Sequence, residues 1–213
     1  MAVDTKLNMD TKLNIGVSLY NSVPDFLNIG IECESEFGSI IEKNNIRFLK
    51  QDVTQGLPLD SDSIEFIYTS HFVEHLSIKD FYSFIKECHR VLKPAGVLRI
   101  VCPDLQKWMD AYLNKDNVFF ENYHNILKEN HKKPWCSVDY NYVLSPADFL
   151  MCNIHNWNHK WAFDLESITL HLKKCGFATV INTGYRNSIY TEISKIEPQF
   201  HQVESLYIEV QKC

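Results

Sequence analysis

Glycine is scarce in this sequence. Only seven of the 213 residues are glycine, whereas globular proteins average about 7%. Glycine lets the backbone approach a ligand where a side chain would intrude. This sequence has few glycines from which a glycine-rich binding loop could form. Any such loop in this chain must therefore be a reduced one.

The sequence also lacks an excess of basic residues and a long apolar run. Its 21 basic and 27 acidic residues give a net charge of −6, without the cationic surplus that binds nucleic acid through counterion release. No segment approaches the roughly 20 apolar residues of a membrane span, and Met1 to Asp10 contains no apolar stretch of signal-peptide length. We therefore expect a cytoplasmic protein without a membrane span and without nucleic acid as its partner.

The cysteines form no recognisable pair. There are seven, widely spread, with no C-x-x-C spacing that would indicate a zinc knuckle or a redox motif. We expect reduced thiols, as in cytosolic proteins.

Strand-like and helix-like segments alternate along the chain. Helices are predicted from Ser77, whose Asp80 completes a capping pattern, and from Asp164 to a stop at Gly176. Short apolar runs rich in β-branched and aromatic residues predict strands. The alternation predicts an α/β fold, a sheet with helices on its faces, as one domain over residues 1–213. The predicted strands include 46–53, 64–69, 97–102, 177–181 and 206–210.

Aromatic residues concentrate in the segment 108–163. It holds 12 of the 27 aromatic residues and all four tryptophans, and we expect an insertion or lid that folds over a substrate. Trp135, Trp157 and Trp161 are candidates for stacking on an apolar sugar face, although such residues more often belong to a core.

Two histidine pairs have metal-ligand spacing. His71, Glu74 and His75 spell H-x-x-E-H, the pattern of inverted zinc metallopeptidases. That site needs the motif inside a helix, whereas His71 directly follows a predicted strand, so we predict no metal and expect Glu74 and His75 to cap or pack the next helix. His155 and His159 are also four apart, and we interpret them as solvated or hydrogen-bonded.

Polar residues stand at the ends of several predicted strands. In an open α/β sheet, ligands bind outside the carboxyl ends of the strands. Four such ends are therefore expected to face one crevice: Gly16-Val17-Ser18, Asp52-Val53, Thr69-Ser70-His71 and Cys102-Pro103-Asp104.

Several motifs follow one another in a recognisable order: Lys12–Gly16, Asp52–Pro58, Asp62–His71, Glu74–Leu76, Glu87–Gly96 and Leu98–Leu105. This order resembles the class I S-adenosylmethionine-dependent methyltransferases, and more narrowly the small predicted methyltransferases of the type 11 group. The resemblance implies a Rossmann-like fold with a mostly parallel seven-stranded sheet and an antiparallel last strand. It also implies S-adenosylmethionine as the cofactor.

The resemblance assigns cofactor contacts to particular residues. Gly16, Val17 and Ser18 correspond to the glycine loop after the first strand, of which one glycine remains. Leu27–Gly30 repeats the motif, but the 36 residues from Gly16 to Asp52 leave more room for the intervening elements, so residues 26–31 become the second strand. Glu32 is then the nearest carboxylate for the ribose, Asp52 contacts adenine next to Val53, and Ser70 lines the cofactor pocket or touches substrate.

The implied reaction is methyl transfer to a small molecule or a sugar or glycan precursor, with oxygen as the expected acceptor atom. An oxygen acceptor benefits from a general base, and His71 and His159 are the candidates because the unperturbed pKa of histidine is about 6.5. The alternative is a non-catalytic protein of the same fold that has lost cofactor binding and serves as an interaction or structural module.

Overall fold

The centre of the protein is an eight-stranded sheet. The computed structural model describes residues 11–33, 35–130, 142–156 and 158–213. The strand order across the sheet is β3-β4-β2-β1-β5-β6-β8-β7. The strands are β1 (Lys12–Ile15), β2 (Leu27–Gly30), β3 (Ile40–Lys43), β4 (Ile46–Lys50), β5 (Ile64–Ser70), β6 (Leu92–Pro103), β7 (Thr179–Asn182) and β8 (Ser205–Gln211).

Five neighbouring strands are parallel, and β8 runs antiparallel to both β6 and β7. The α/β class, the mostly parallel sheet and the antiparallel last strand are thereby confirmed. The eighth strand is β3, which pairs antiparallel with β4 at the sheet edge. Asn44 and Asn45, both with positive φ, form the two-residue turn between them, as hairpins of this type require.

Six α-helices accompany the sheet in the part of the chain that the structure describes. Ser77 accepts a hydrogen bond from the Asp80 N–H at the start of α1, and Asp164 caps α5 with a reciprocal bond to Ser167, so both predicted helix starts are confirmed. The helices are α1 (Ile78–Val91), α2 (Leu105–Leu113), α3 (Asn117–Asn130), α4 (Pro146–Met151), α5 (Leu165–Lys174) and α6 (Ile193–Ile196). Among the described residues, no helix combines the length and the apolar character needed to cross a membrane.

The assignment of Gly16 to the first strand and of residues 26–31 to the second is confirmed by the pairing of β1 with β2. The 36 residues between Gly16 and Asp52 were expected to include a helix between the first two strands. This expectation was wrong, because no α-helix lies between β1 and β2. A 3-10 turn at Leu19–Asn21 makes the connection. Buried Asn28 holds it, since its side chain accepts from the Val23 N–H at 2.8 Å and donates to the Val23 carbonyl at 2.9 Å.

Apolar side chains cover both faces of the sheet. One face packs against α1 and α5 through residues such as Phe81 and Leu172, and the other is covered by Tyr190 and Ile193 over Phe66.

The aromatic-rich segment forms helices α2, α3 and α4. Trp108 is the centre of their separate cluster, which includes Phe120, Tyr123 and Phe149. The segment leaves and rejoins the sheet at one place, where the Leu105 N–H donates to the Phe163 carbonyl at 2.8 Å. Trp161 is 41% exposed, and Trp135 and Trp157 lie outside the described residues.

Candidate active site

A cavity of about 660 Å³ opens at the carboxyl edge of the sheet, within the range of about 300–1,000 Å³ typical of small-molecule sites. Gly16 and Val17 line it after β1, Ser70 and His71 at the end of β5, and Pro103 at the end of β6. Three of the four predicted strand ends therefore share one crevice, as the sequence indicates.

Residues of the fourth strand end do not line the cavity. Asp52 caps a 3-10 turn, with its Oδ1 accepting from the Thr54 N–H at 3.0 Å and from the Thr54 hydroxyl at 2.7 Å. Val53 is buried in the core. Ser18, on the first loop, precedes the Leu19–Asn21 turn and is also absent from the lining. Glu32 does line the cavity and is exposed to solvent.

The reduced glycine loop is shaped by close packing. Gly16 has φ +81°, and a Cβ there would collide with the ring of Phe72. A Cβ at Gly30 would collide with the carbonyl oxygen of Val17. Gly30 ends β2, where the resemblance implies a carboxylate for the ribose, and the position of Val17 explains why no side chain fits there.

His71 lies at a sharp turn directly after β5. Its φ is +49°, a left-handed conformation that is uncommon for residues other than glycine. The Nε2 atom is 2.8 Å from the Ser205 hydroxyl, Nδ1 is 3.3 Å from Glu74 Oε1, and the ring stacks on His201 with centroids 3.5 Å apart. Both ring nitrogens of this candidate base are thus oriented by neighbours.

Glu74 is the most buried acidic group of the cavity, at 1% exposure. Burial opposes its ionisation, but the hydrogen bond and charge of His71, with the charges of His75 and His159, outweigh burial and lower the pKa of the carboxyl. Glu74 and His75 line the cavity. The expectation that they cap or pack α1 was wrong for the cap, which Ser77 supplies.

His159 reaches the cavity because its loop is tied to the 3-10 turn Val73–His75. The N–H groups of Lys160 and Trp161 both donate to the Glu74 carbonyl, at 2.8 and 3.1 Å. Burial lowers the pKa of His159 to about 4, so the ring is neutral at pH 7 and a weaker base than an unperturbed histidine. His155, its partner in the sequence pattern, is exposed and does not line the cavity.

Two further cavity residues, His201 and Glu204, were missed as site residues in the sequence. Burial lowers the pKa of His201 to about 4 and raises that of Glu204 to about 7. A signal for them exists: β8 is antiparallel, so its first residue, Ser205, pairs with Pro103 at the edge where the parallel strands end. Polar residues just before an antiparallel last strand therefore belong to the same site.

Six titratable side chains of the cavity form two trios, and within each trio the potential ligand atoms lie within 4.8 Å of one another. One consists of Glu74, His75 and His159, and the other of His71, His201 and Glu204. Imidazole and carboxylate are common ligands of zinc.

Comparison with known proteins identifies the fold. Residues 30–100 match the family model described as "Methyltransferase domain", and no curated protein matches the sequence. A SAM-dependent methyltransferase from Archaeoglobus fulgidus is 15% identical, with 94% of this chain and 85% of that chain covered and a TM-score of 0.51. One from Thermotoga maritima is 18% identical, with 95% and 82% covered and a TM-score of 0.50.

A third structure similar to this chain is phosphoethanolamine N-methyltransferase 2 of Haemonchus contortus with bound S-adenosyl-L-methionine. It is 10% identical, with 98% of this chain and 52% of that chain covered and a TM-score of 0.50. The sheet, the site at its carboxyl edge and these similarities define a class I methyltransferase fold. The fold is the one that these S-adenosylmethionine-dependent methyltransferases share.

Proposed function

We propose that the protein transfers the methyl group of S-adenosylmethionine to a hydroxyl oxygen of a small polar molecule, a sugar or a glycan precursor. The observation that carries this proposal is the composition of the cavity. Gly16, Val17 and Glu32 lie on the same cavity as a cluster of four histidines and two glutamates. Such polar groups favour an acceptor that forms many hydrogen bonds.

The described residues fit the cofactor on the side of β1 and β5. Gly16 and Val17 offer backbone beside the cavity, Glu32 offers a carboxylate to ribose hydroxyls, and Ser70 offers a hydroxyl. Buried Asn14 also lines the cavity, and its Oδ1 has no hydrogen-bond partner among the described residues. When bound, S-adenosylmethionine supplies the electrophilic methyl group.

His71 is the proposed general base. It would take the hydroxyl proton as the acceptor oxygen bonds to the methyl carbon and the sulfur–carbon bond breaks, leaving S-adenosylhomocysteine. Glu74 stands 3.3 Å from His71 Nδ1, where its negative charge stabilises the imidazolium that forms. Burial leaves His159 a poor proton acceptor at neutral pH, so we propose that His159 contacts the acceptor instead.

The proposed compartment is the cytoplasm, and the thiols support it. Among the described residues, Cys33, Cys88, Cys102, Cys175 and Cys213 form no disulfide, which suits a reducing environment.

Calorimetric titration with S-adenosylhomocysteine tests the cofactor step, and methyl transfer from labelled S-adenosylmethionine to a panel of sugars tests the acceptor. We expect S-adenosylhomocysteine to bind with measurable heat to both wild type and His71→Ala. Methyl transfer should be detected in wild type and lost in His71→Ala. No heat and no thermal shift at millimolar ligand would overturn the proposal in favour of a non-catalytic protein of the same fold.

A further inference from the structure

The geometry points to a divalent metal site, of the zinc type, formed by Glu74, His75 and His159. The ligand atoms of the three side chains lie within 4.8 Å of one another on the cavity wall. Two imidazoles and one carboxylate suit zinc, whose bonds to nitrogen and oxygen are about 2.0–2.2 Å long. The site shares Glu74 and His159 with the proposed methyl-transfer site, but its affinity for zinc is measured without cofactor or acceptor.

The unusual group in this trio is the carboxylate of Glu74. It is buried, and its Oε2 has no hydrogen-bond partner within the part of the chain that the structure describes, while Oε1 lies 3.3 Å from His71 Nδ1. A buried carboxylate without such partners is costly, and the contact with His71 Nδ1 at 3.3 Å reaches only one oxygen. A cation between Glu74 and the two histidines would satisfy the carboxylate.

The histidines converge on Glu74 from two different segments. The rings of His75 and His159 are 4.9 Å apart, centroid to centroid, at an interplanar angle of 77°. The two hydrogen bonds from Lys160 and Trp161 to the Glu74 carbonyl fix the His159 loop against the turn that carries the other two ligands. The trio is therefore held by backbone contacts as well as by side-chain packing.

A contact beyond the three ligands supports the assignment. His159 has a hydrogen bond with the backbone of Asn153. A hydrogen bond of this kind restricts the orientation of the ring, and such bonds typically orient the histidines that bind metals.

The neighbouring trio is less available for a metal. His71 Nε2 is 2.8 Å from the Ser205 hydroxyl, and Glu204 Oε2 accepts a hydrogen bond from Asn153 at 3.2 Å. The proposed site also differs from the zinc-peptidase site that H-x-x-E-H would form, because His71 and His75 belong to different trios. The third ligand is His159, which lies 84 residues after His75 in the sequence.

The site has an open side. All three ligands line the large cavity, so a fourth coordination position faces the space available to a substrate. Zinc sites with three protein ligands and one open position bind water or a substrate oxygen. The ligand class expected there is an oxygen donor such as a hydroxyl or a carboxylate.

Titration of metal-free protein with zinc alone tests the site. We expect a zinc-to-chain ratio near one in wild type and an affinity at least about tenfold lower in His159→Ala and in Glu74→Gln. The matched controls are His155→Ala, which removes an exposed histidine from the adjoining segment, and His201→Ala, which disrupts the second trio. Both should bind zinc as wild type does.

Thermal unfolding with and without zinc gives the second readout, since a ligand that binds the native state raises the melting temperature. Zinc should raise it in wild type and in both controls, and much less in His159→Ala. Equal binding in wild type and His159→Ala, or a loss in either control as large as in His159→Ala, would overturn the site. Because no cofactor or acceptor is present, the result does not depend on methyl transfer.

Discussion

Arg99 and Glu197 form a fully buried ion pair, with Arg99 Nε 2.6 Å from Glu197 Oε1 and both side chains at 0–1% exposure. Arg99 lies on β6, and its guanidinium also donates to the carbonyls of Gly184 and Asn187 and contacts Glu209 at 3.2 Å. Glu197 directly precedes the segment that brings His201 and Glu204 to the cavity. This pair therefore holds one wall of the cavity against the sheet.

We expect Arg99→Met to lower the free energy of unfolding by about 3–5 kcal/mol, because Glu197 and Glu209 would remain buried without their cation. Urea denaturation measures the change. Lys93→Met is a matched control on the same strand, since Lys93 pairs with Glu65 at 2.8 Å in solvent and such pairs contribute about 0–1 kcal/mol. Losses of similar size in the two variants would contradict this interpretation.

Gly30 and Gly38 distinguish two reasons why a position requires glycine, namely a steric collision and a positive φ. Gly30→Ala should lower the free energy of unfolding by about 3 kcal/mol, since the new Cβ collides with the Val17 backbone. Gly38→Ala should cost about 1 kcal/mol, because its φ of +82° is unfavourable but no atom lies within 4 Å of the new Cβ. Equal costs, measured by urea denaturation, would show that the Val17 loop simply moves away.

We expect substitutions of Glu32 and Asp52 to affect cofactor binding to different extents. Glu32→Gln should weaken the binding of S-adenosylhomocysteine about tenfold or more, because a hydrogen bond to a charged group in the cavity contributes about 1.5–3 kcal/mol. Asp52→Asn should leave the affinity within about twofold, because that carboxylate is used by Thr54. Calorimetric titration of both variants tests this, and a larger effect of Asp52→Asn would support the adenine contact that the resemblance implies for Asp52.

Glu204 should make the stability of the metal-free protein depend on pH. Burial raises its pKa from an ordinary 4.5 to about 7, against the opposing charges of His71 and Lys107, so the fold favours the protonated carboxyl. The stabilising contribution is complete below about pH 4.5 and is lost as the pH rises through 7.

Relative to wild type, Glu204→Gln should therefore gain about 1.4 kcal/mol of stability per pH unit between pH 5 and 7, then level off. Urea denaturation at several pH values measures this difference. A difference that does not change with pH would show that the carboxyl titrates normally.

Local patterns were sufficient to predict much of the fold. Ser77 and Asp164 start helices because their side chains satisfy backbone N–H groups within three residues, which is a property of the sequence alone. The hairpin that adds β3 was also readable from Asn44-Asn45, although it was not predicted. The connection between β1 and β2 was not readable, because it depends on the buried contacts of Asn28.

The site was predictable only where its residues follow parallel strands. Gly16, Ser70 and His71 were found because the carboxyl ends of parallel strands meet at one edge. His201 and Glu204 come from the start of an antiparallel strand, and His159 comes from a loop held by hydrogen bonds to Glu74. Such long-range contacts are set by tertiary packing, so spacing along the chain does not reveal them.

The single point at which the helical segment leaves and rejoins the sheet has a consequence for the cavity. Because the Leu105 N–H and the Phe163 carbonyl meet at 2.8 Å, the segment begins and ends at one point of the sheet edge, and no strand is interrupted by it. This segment contributes Tyr123, Ile126 and Asn153 to the cavity wall. A change in this segment would therefore alter the cavity wall while the ends of β1, β5 and β6 keep their places in the sheet.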